Sequence, residues 1–136
     1  MRLLTYPVAT LARLYKFLHT SRMADKPLVW LGSSLDNVRA FPDDARQEAG
    51  FQLRRVQKGL SPIDWKPMTI VGPGVVEIRI HTTEEYRVFY VAKFAEAVYV
   101  LHTFTKQTQK TPQRDIDLAQ RRYSELLRTR NKTKEQ

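Results

Sequence analysis

The chain has 136 residues, 42% of them apolar and 27% charged, which is enough to bury one real core and close to the size of a single domain. No apolar run approaches the roughly 18–20 residues that a membrane span needs, and the absence of cysteine excludes disulfides and thiolate metal sites. The net charge of +9 sits at the two ends: residues 1–22 carry four Lys/Arg and no acid, residues 106–136 carry nine against four acids, and the middle has ten of each sign; such a balance favours polyanionic partners.

The opening stretch, MRLLTYPVATLARLYKFLHTSR, places Leu11, Leu14, Tyr15 and Leu18 at helical spacing. Pro7, Arg13 and Lys16 break it as a secretory signal. The composition changes abruptly at MADKPLVWLG, so Met23 is expected to be the native start and 1–22 an extension. The domain is then expected over 23–130, with 131–136 as a basic tail.

KPLVWLG (26–32), apolar between Pro and Gly, predicts a strand. Leu35, Val38 and Phe41 make one face of a short helix, with Ser33 and Asp36 in a capping pattern. Residues 42–59 predict a longer helix. Pro42 suits its first turn, Asp43 and Asp44 its positive end, Ala45, Ala49, Leu53 and Val56 its buried stripe, and Gly59 its C-cap. LSPIDWKP reads as a loop. MTIVG, VVEIRIH, YRVFYVAKF and AVYVLHTF read as strands, and their short breaks imply antiparallel neighbours. Thr111 and Pro112 open a last helix with Ile116, Ala119, Tyr123 and Leu126/Leu127 on one stripe and Arg114, Arg121 and Arg128 nearly opposite. The expected class is α+β, with helices laid on an antiparallel sheet.

Chemistry concentrates in the strands. Arg79 and Arg87 lie on one sheet face if a three-residue turn, 82–84, joins their strands. Like charges so placed repel, so an anion belongs between them: Glu77 or an external phosphate. Lys106, Lys110 and Arg114 follow the last strand, with Tyr86, Phe89, Tyr90 and Phe104 expected nearby. Cations and rings together make a nucleic-acid surface, phosphates meeting the cations and bases the rings. No acid cluster of the kind used for metal-assisted cleavage stands out, so no metal or cofactor is expected. The chemistry this allows is attack of an RNA 2′-hydroxyl on its own phosphate, with Arg and Lys stabilising the transition state. His102 or His81 can serve as acid or base near neutral pH, although a lone strand histidine is more often structural.

The stretches KPLVWLGSSLDNVRAFP, MTIVGPGVVEIRI, YRVFYVAKF and above all VLHTFTKQTQKTPQRDIDLAQRR carry a resemblance. Over residues 26–127 the chain resembles the RelE/ParE toxin superfamily, most closely its HigB-like, phage-related (Gp49-like) branch. The resemblance implies a compact β-α-α-β-β-β-α domain and a cytoplasmic toxin of a type II toxin–antitoxin pair. It implies an mRNA endonuclease, acting on the ribosome, and matches Arg87, Arg79, Lys106 and Lys110 to the family's basic site; with His102 from the residue reading above, Arg87, Arg79 and Lys106 are the catalytic candidates. Lys110, Arg114, Tyr90 and Phe104 are the RNA-binding candidates. It also implies a small helix-turn-helix antitoxin that represses the operon, in a complex of higher order on operator DNA. One departure stands out: the family's best-studied ribonucleases carry an arginine and a tyrosine where this chain reads Lys-Gln-Thr-Gln-Lys (106–110). That keeps open a ParE-like inhibitor of DNA gyrase and a basic RNA-binding module without catalysis.

Overall fold

The computed structural model describes residues 25–134. The expectations for 1–22 and for the last two residues lie outside that range. Strand β1 (Leu28–Trp30) is followed by helices α1 (Ser34–Arg39) and α2 (Asp43–Gln57). Strands β2 (Trp65–Pro67), β3 (Val75–His81), β4 (Glu85–Val91) and β5 (Val98–Lys106) come next, and α3 (Gln113–Lys134) runs on past residue 130. The class is α+β, as the sequence predicts.

One sheet has the order β1-β5-β4-β3-β2. It is antiparallel except at β1, which pairs parallel with β5 through Leu28–Val98 and Trp30–Val100. A three-residue strand pairing with one far along the chain leaves no local signal, which is why the sequence reading expects a wholly antiparallel sheet.

Helices cover both faces rather than one. Helices α1 and α2 bury Val38, Ala45, Ala49, Leu53 and Val56 against Ile78, Ile80, Val88 and Val98. On the other face α3 sets Ile116, Ala119, Tyr123 and Leu126 against Phe89, Val91, Tyr99 and Leu101. Strand β5 is therefore buried continuously from Val98 to Phe104, and its sequence shows a run rather than an alternation.

The helix termini follow their local chemistry. Asp43 and Asp44 open α2, and Gly59 ends it at φ +84°. The Gly59 N–H donates to Val56 O and the Leu60 N–H to Arg55 O, the paired bonds of a Schellman ending. In α3 the apolar stripe is buried, while Arg114, Arg121 and Arg128 are exposed.

Two segments differ from expectation. MTIVG is not a strand: Met68 and Val71 are buried three residues apart, and a Val71 N–H to Met68 O bond closes a turn. Strand β2 instead forms in the stretch read as a loop. It is exposed throughout and owes its form to pairing with β3, so no apolar alternation announces it.

Gly72 packs beneath the Tyr123 ring, so closely that a Cβ would stand 2.9 Å from two ring carbons. Gly72→Ala is therefore expected to cost about 1–3 kcal/mol in urea unfolding, through displacement of α3. Gly59→Ala, where nothing lies within 4 Å, should lose only the ~1 kcal/mol of left-handed backbone strain.

Candidate functional site

The turn at 82–84 has the predicted length, and it sets Arg79 directly opposite Arg87. Arg87 in turn faces Phe104, and Glu85 faces Lys106, across β4 and β5. A bulge decides which β5 residues share this face. Phe89 pairs with His102 and Tyr90 with Val100, leaving Leu101 as an extra residue. Beyond it His102, Phe104 and Lys106 take the face of Phe89, Arg87 and Glu85.

Two carboxylates hold the arginines. Glu77, 1% exposed, brings Oε1 to 3.5 Å from Arg79 Nε, 3.6 Å from Arg87 Nε and 3.8 Å from Lys66 Nζ. Glu85 accepts from both terminal nitrogens of Arg87, at 3.2 and 3.3 Å, and Arg87 Nη1 also donates to the Tyr86 carbonyl. Arg87 is itself only 6% exposed. Glu85 also lies 2.7 Å from His81 Nδ1, while His81 Nε2 meets Asp64 Oδ2 at 2.5 Å. The bond to Glu85, then that to Asp64, raises the His81 pKa. The same bond to His81 lowers that of Glu85.

Beside Arg87 lies an open groove of about 530 Å³, lined by Glu85, Arg87, Lys106, Gln107, Thr108 and Gln109. Lys106 Nζ donates to Gln109 O at 2.5 Å, folding the 107–110 loop over its own ammonium. Lys110 is exposed at the loop's end.

The other candidates lie elsewhere. Tyr90 is buried on the opposite face, among the α1 and α2 contacts, and burial pushes its phenol pKa up. Tyr86 shares that face. Strand parity separates both from the arginines, so they cannot meet bases beside Arg87. Phe104 is on the right face but buried, edge-on to Phe89 and stacked 4.8 Å from His102. His102 is 4% exposed; its Nε2 donates to Asp115 Oδ1 at 2.7 Å, and among the described residues its Nδ1 has no hydrogen-bond partner. Burial lowers its pKa, outweighing the bond to Asp115. Arg114 and His102 line a second groove, of about 610 Å³, on the far side of β5. Gln107 borders both grooves. Among the described residues no group of three or more His, Asp or Glu side chains is placed to hold a metal, and no helix is long and apolar enough to cross a membrane.

Sequence reasoning overlooks Glu85 and Lys66. Strand parity is the signal that finds Glu85, two residues before Arg87 on its face. Lys66 has no such signal, because β2 is not legible.

Residues 36–124, a span holding every group in the first groove, match the family described as phage-derived protein Gp49-like. The chain belongs to that family. No curated protein matches it. The Gp49-like family is RelE-like and toxin-like, and a toxin of this kind implies a partner antitoxin. The HigB assignment is narrower than the match to the Gp49-like family.

The two buried or bridged histidines of this Gp49-like chain give stability opposite pH dependences. His81, with a raised folded pKa, contributes fully below its unfolded value of about 6.5 and loses that contribution as pH rises through the folded value. His102, with a lowered folded pKa, costs stability as pH falls below about 6.5. Urea unfolding of His81→Gln should therefore show its largest deficit near pH 5.5 and little near pH 9. His102→Gln should show the reverse trend.

Proposed function

We propose that this protein is the toxin of a type II toxin–antitoxin pair and an endoribonuclease of the HigB-like kind, cutting mRNA on the ribosome in the cytoplasm. The observation that carries this reading is the in-register Arg79–Arg87 pair, on one face with Lys106 and beside an open groove. Two like charges placed opposite each other, one of them buried as Arg87 is, call for anions between them.

In the proposed reaction a scissile phosphate enters the groove and takes the place of Glu85 on Arg87. The RNA 2′-oxygen gives its proton to solvent water and attacks phosphorus, the bond to the 5′-oxygen breaks, and that oxygen takes a proton from solvent, so that a 2′,3′-cyclic phosphate and a 5′-hydroxyl result. Arg87 supplies a fork of donors, and Lys106 and Arg79 supply charge, to the oxygens that become more negative in the transition state. His102, buried and bonded to Asp115, supports this arrangement by fixing β5 to the first turn of α3. Lys110, in the segment that leaves β5, and Arg114, in the first turn of α3, are both exposed and meet flanking phosphates. The exposed row Arg114, Arg121 and Arg128 offers α3 to ribosomal RNA.

The partner in this reading is a helix-turn-helix antitoxin, which binds operator DNA on behalf of the complex. A gyrase inhibitor of the ParE kind is the second reading, favoured by the lack of tyrosine and arginine in Lys106–Lys110.

Arg87→Ala tests the first reading. Cleavage should fall roughly 10²–10³-fold, growth arrest on expression should be relieved, and circular dichroism should show the fold retained. Full toxicity in that variant would remove Arg87 from the site. Inhibited supercoiling with cellular mRNA intact would favour the second reading.

A further inference from the structure

Glu77 is the most buried charged side chain beside the groove. The 2% exposure of its side chain contrasts with the 40% exposure of the Glu85 side chain, which reaches Arg87 from the solvent side. The cations around Glu77 come from three strands: Lys66 from β2, Arg79 from β3 and Arg87 from β4. All three address a single oxygen, Oε1. Among the described residues its other oxygen, Oε2, has no hydrogen-bond partner, and neither has Arg87 Nε. The contacts of 3.5–3.8 Å are ion pairs rather than hydrogen bonds.

A core-stabilising salt bridge would saturate its carboxylate, because leaving one oxygen bare is costly. Here the geometry instead balances charge while leaving the outward nitrogens of Arg87 free to exchange partners. Glu85 can swing away when an anion arrives, since it is tethered only at the surface. Glu77 cannot leave.

Building on the proposed nuclease site, we infer that Glu77 is a positioning residue. It is a fixed counter-ion that holds Arg79 and Arg87 side by side, so that an RNA phosphate meets a guanidinium already aimed at it. Glu85 is the exchangeable ion that occupies Arg87 until the phosphate takes its place. Glu77 touches neither the phosphate nor the attacking oxygen and acts through Arg87.

The test compares Glu77→Gln, Glu77→Asp and Glu85→Gln in the full chain, using inorganic pyrophosphate as probe and the Arg87 side-chain N–H resonance as reporter. Glu77→Gln removes a neighbouring negative charge, so pyrophosphate should bind about tenfold tighter, while the Arg87 resonance broadens or vanishes as the guanidinium loses its anchor. Glu85→Gln should also tighten binding but leave the Arg87 resonance sharp. With RNA, Glu77→Gln should lower KM and lower kcat by about tenfold or more, a split that general destabilisation does not produce. If Glu77→Gln does not fold, Glu77→Asp decides. It keeps the charge, so pyrophosphate affinity should stay at the wild-type value, but it shortens the anchor, so the Arg87 resonance should broaden.

An unchanged Arg87 resonance in whichever Glu77 variant folds overturns the inference. So does weaker pyrophosphate binding by Glu77→Gln. If the wild-type protein cleaves no RNA, the nuclease reading falls, and the resonance and the pyrophosphate affinities still decide the role of Glu77.

Discussion

A nine-residue strand whose first seven residues have no wet face organises the molecule. Because β5 is apolar or tightly packed from Val98 to Phe104, it must lie inside the sheet with a cover on each side. Strand β1 and the α1–α2 pair supply one flank, and β4 and α3 the other. Side chains finish the edge where β1 stops: Asn37 Nδ2 donates to Thr103 O, and Arg122 Nη1 to Leu101 O. The demand ends at Lys106, where the strand emerges from cover. That is where the polar chemistry begins, so burial and function meet on one element.

The electrostatics of the site follow from the sheet rather than from the loops. Register puts two guanidinium groups across from each other, and only a carboxylate within the same ladder can make that tolerable without a ligand. Glu77 meets this need from two residues away on the same strand face. Glu85 does so from the other side of the hairpin. The cations of the described residues thus include two kinds. One is the solvated row on α3. The other is a small set on the sheet, of which Lys66, Arg79 and Arg87 each meet an acid.

What could be read from the sequence was whatever has a local cause. Helix α2 announces itself through Asp43, Asp44, its alanine stripe and Gly59, and α3 through Ile116, Ala119, Tyr123 and Leu126. The Arg79–Arg87 register follows from the length of a turn. Long-range pairing was not legible: nothing near Leu28 says that it will lie parallel to Val98, and nothing in Trp65–Pro67 says strand. The misplacement of Tyr86 and Tyr90 has a different origin. Their even positions put them opposite Arg87 by the period of two that defines a strand, so proximity in sequence misleads where parity would have corrected it. Phe104 passes the parity test and is still unavailable, since its neighbours Phe89 and His102 claim both its edge and its face.

The extra residue at Leu101 has a bearing on how such a surface can change over generations. Every side chain from His102 to Lys106 owes its direction to that single irregularity. Were Leu101 paired instead of bulged, the end of the strand would turn by half a period, carrying Thr103 and Thr105 toward the arginines and Lys106 away from them. Insertions in the 107–110 loop rotate nothing upstream of it. The bulge thus absorbs a residue that a regular ladder would have to pair. A lineage can vary its loop to explore new contacts, but a residue gained and paired between His102 and Lys106 would turn that lysine off the charged face.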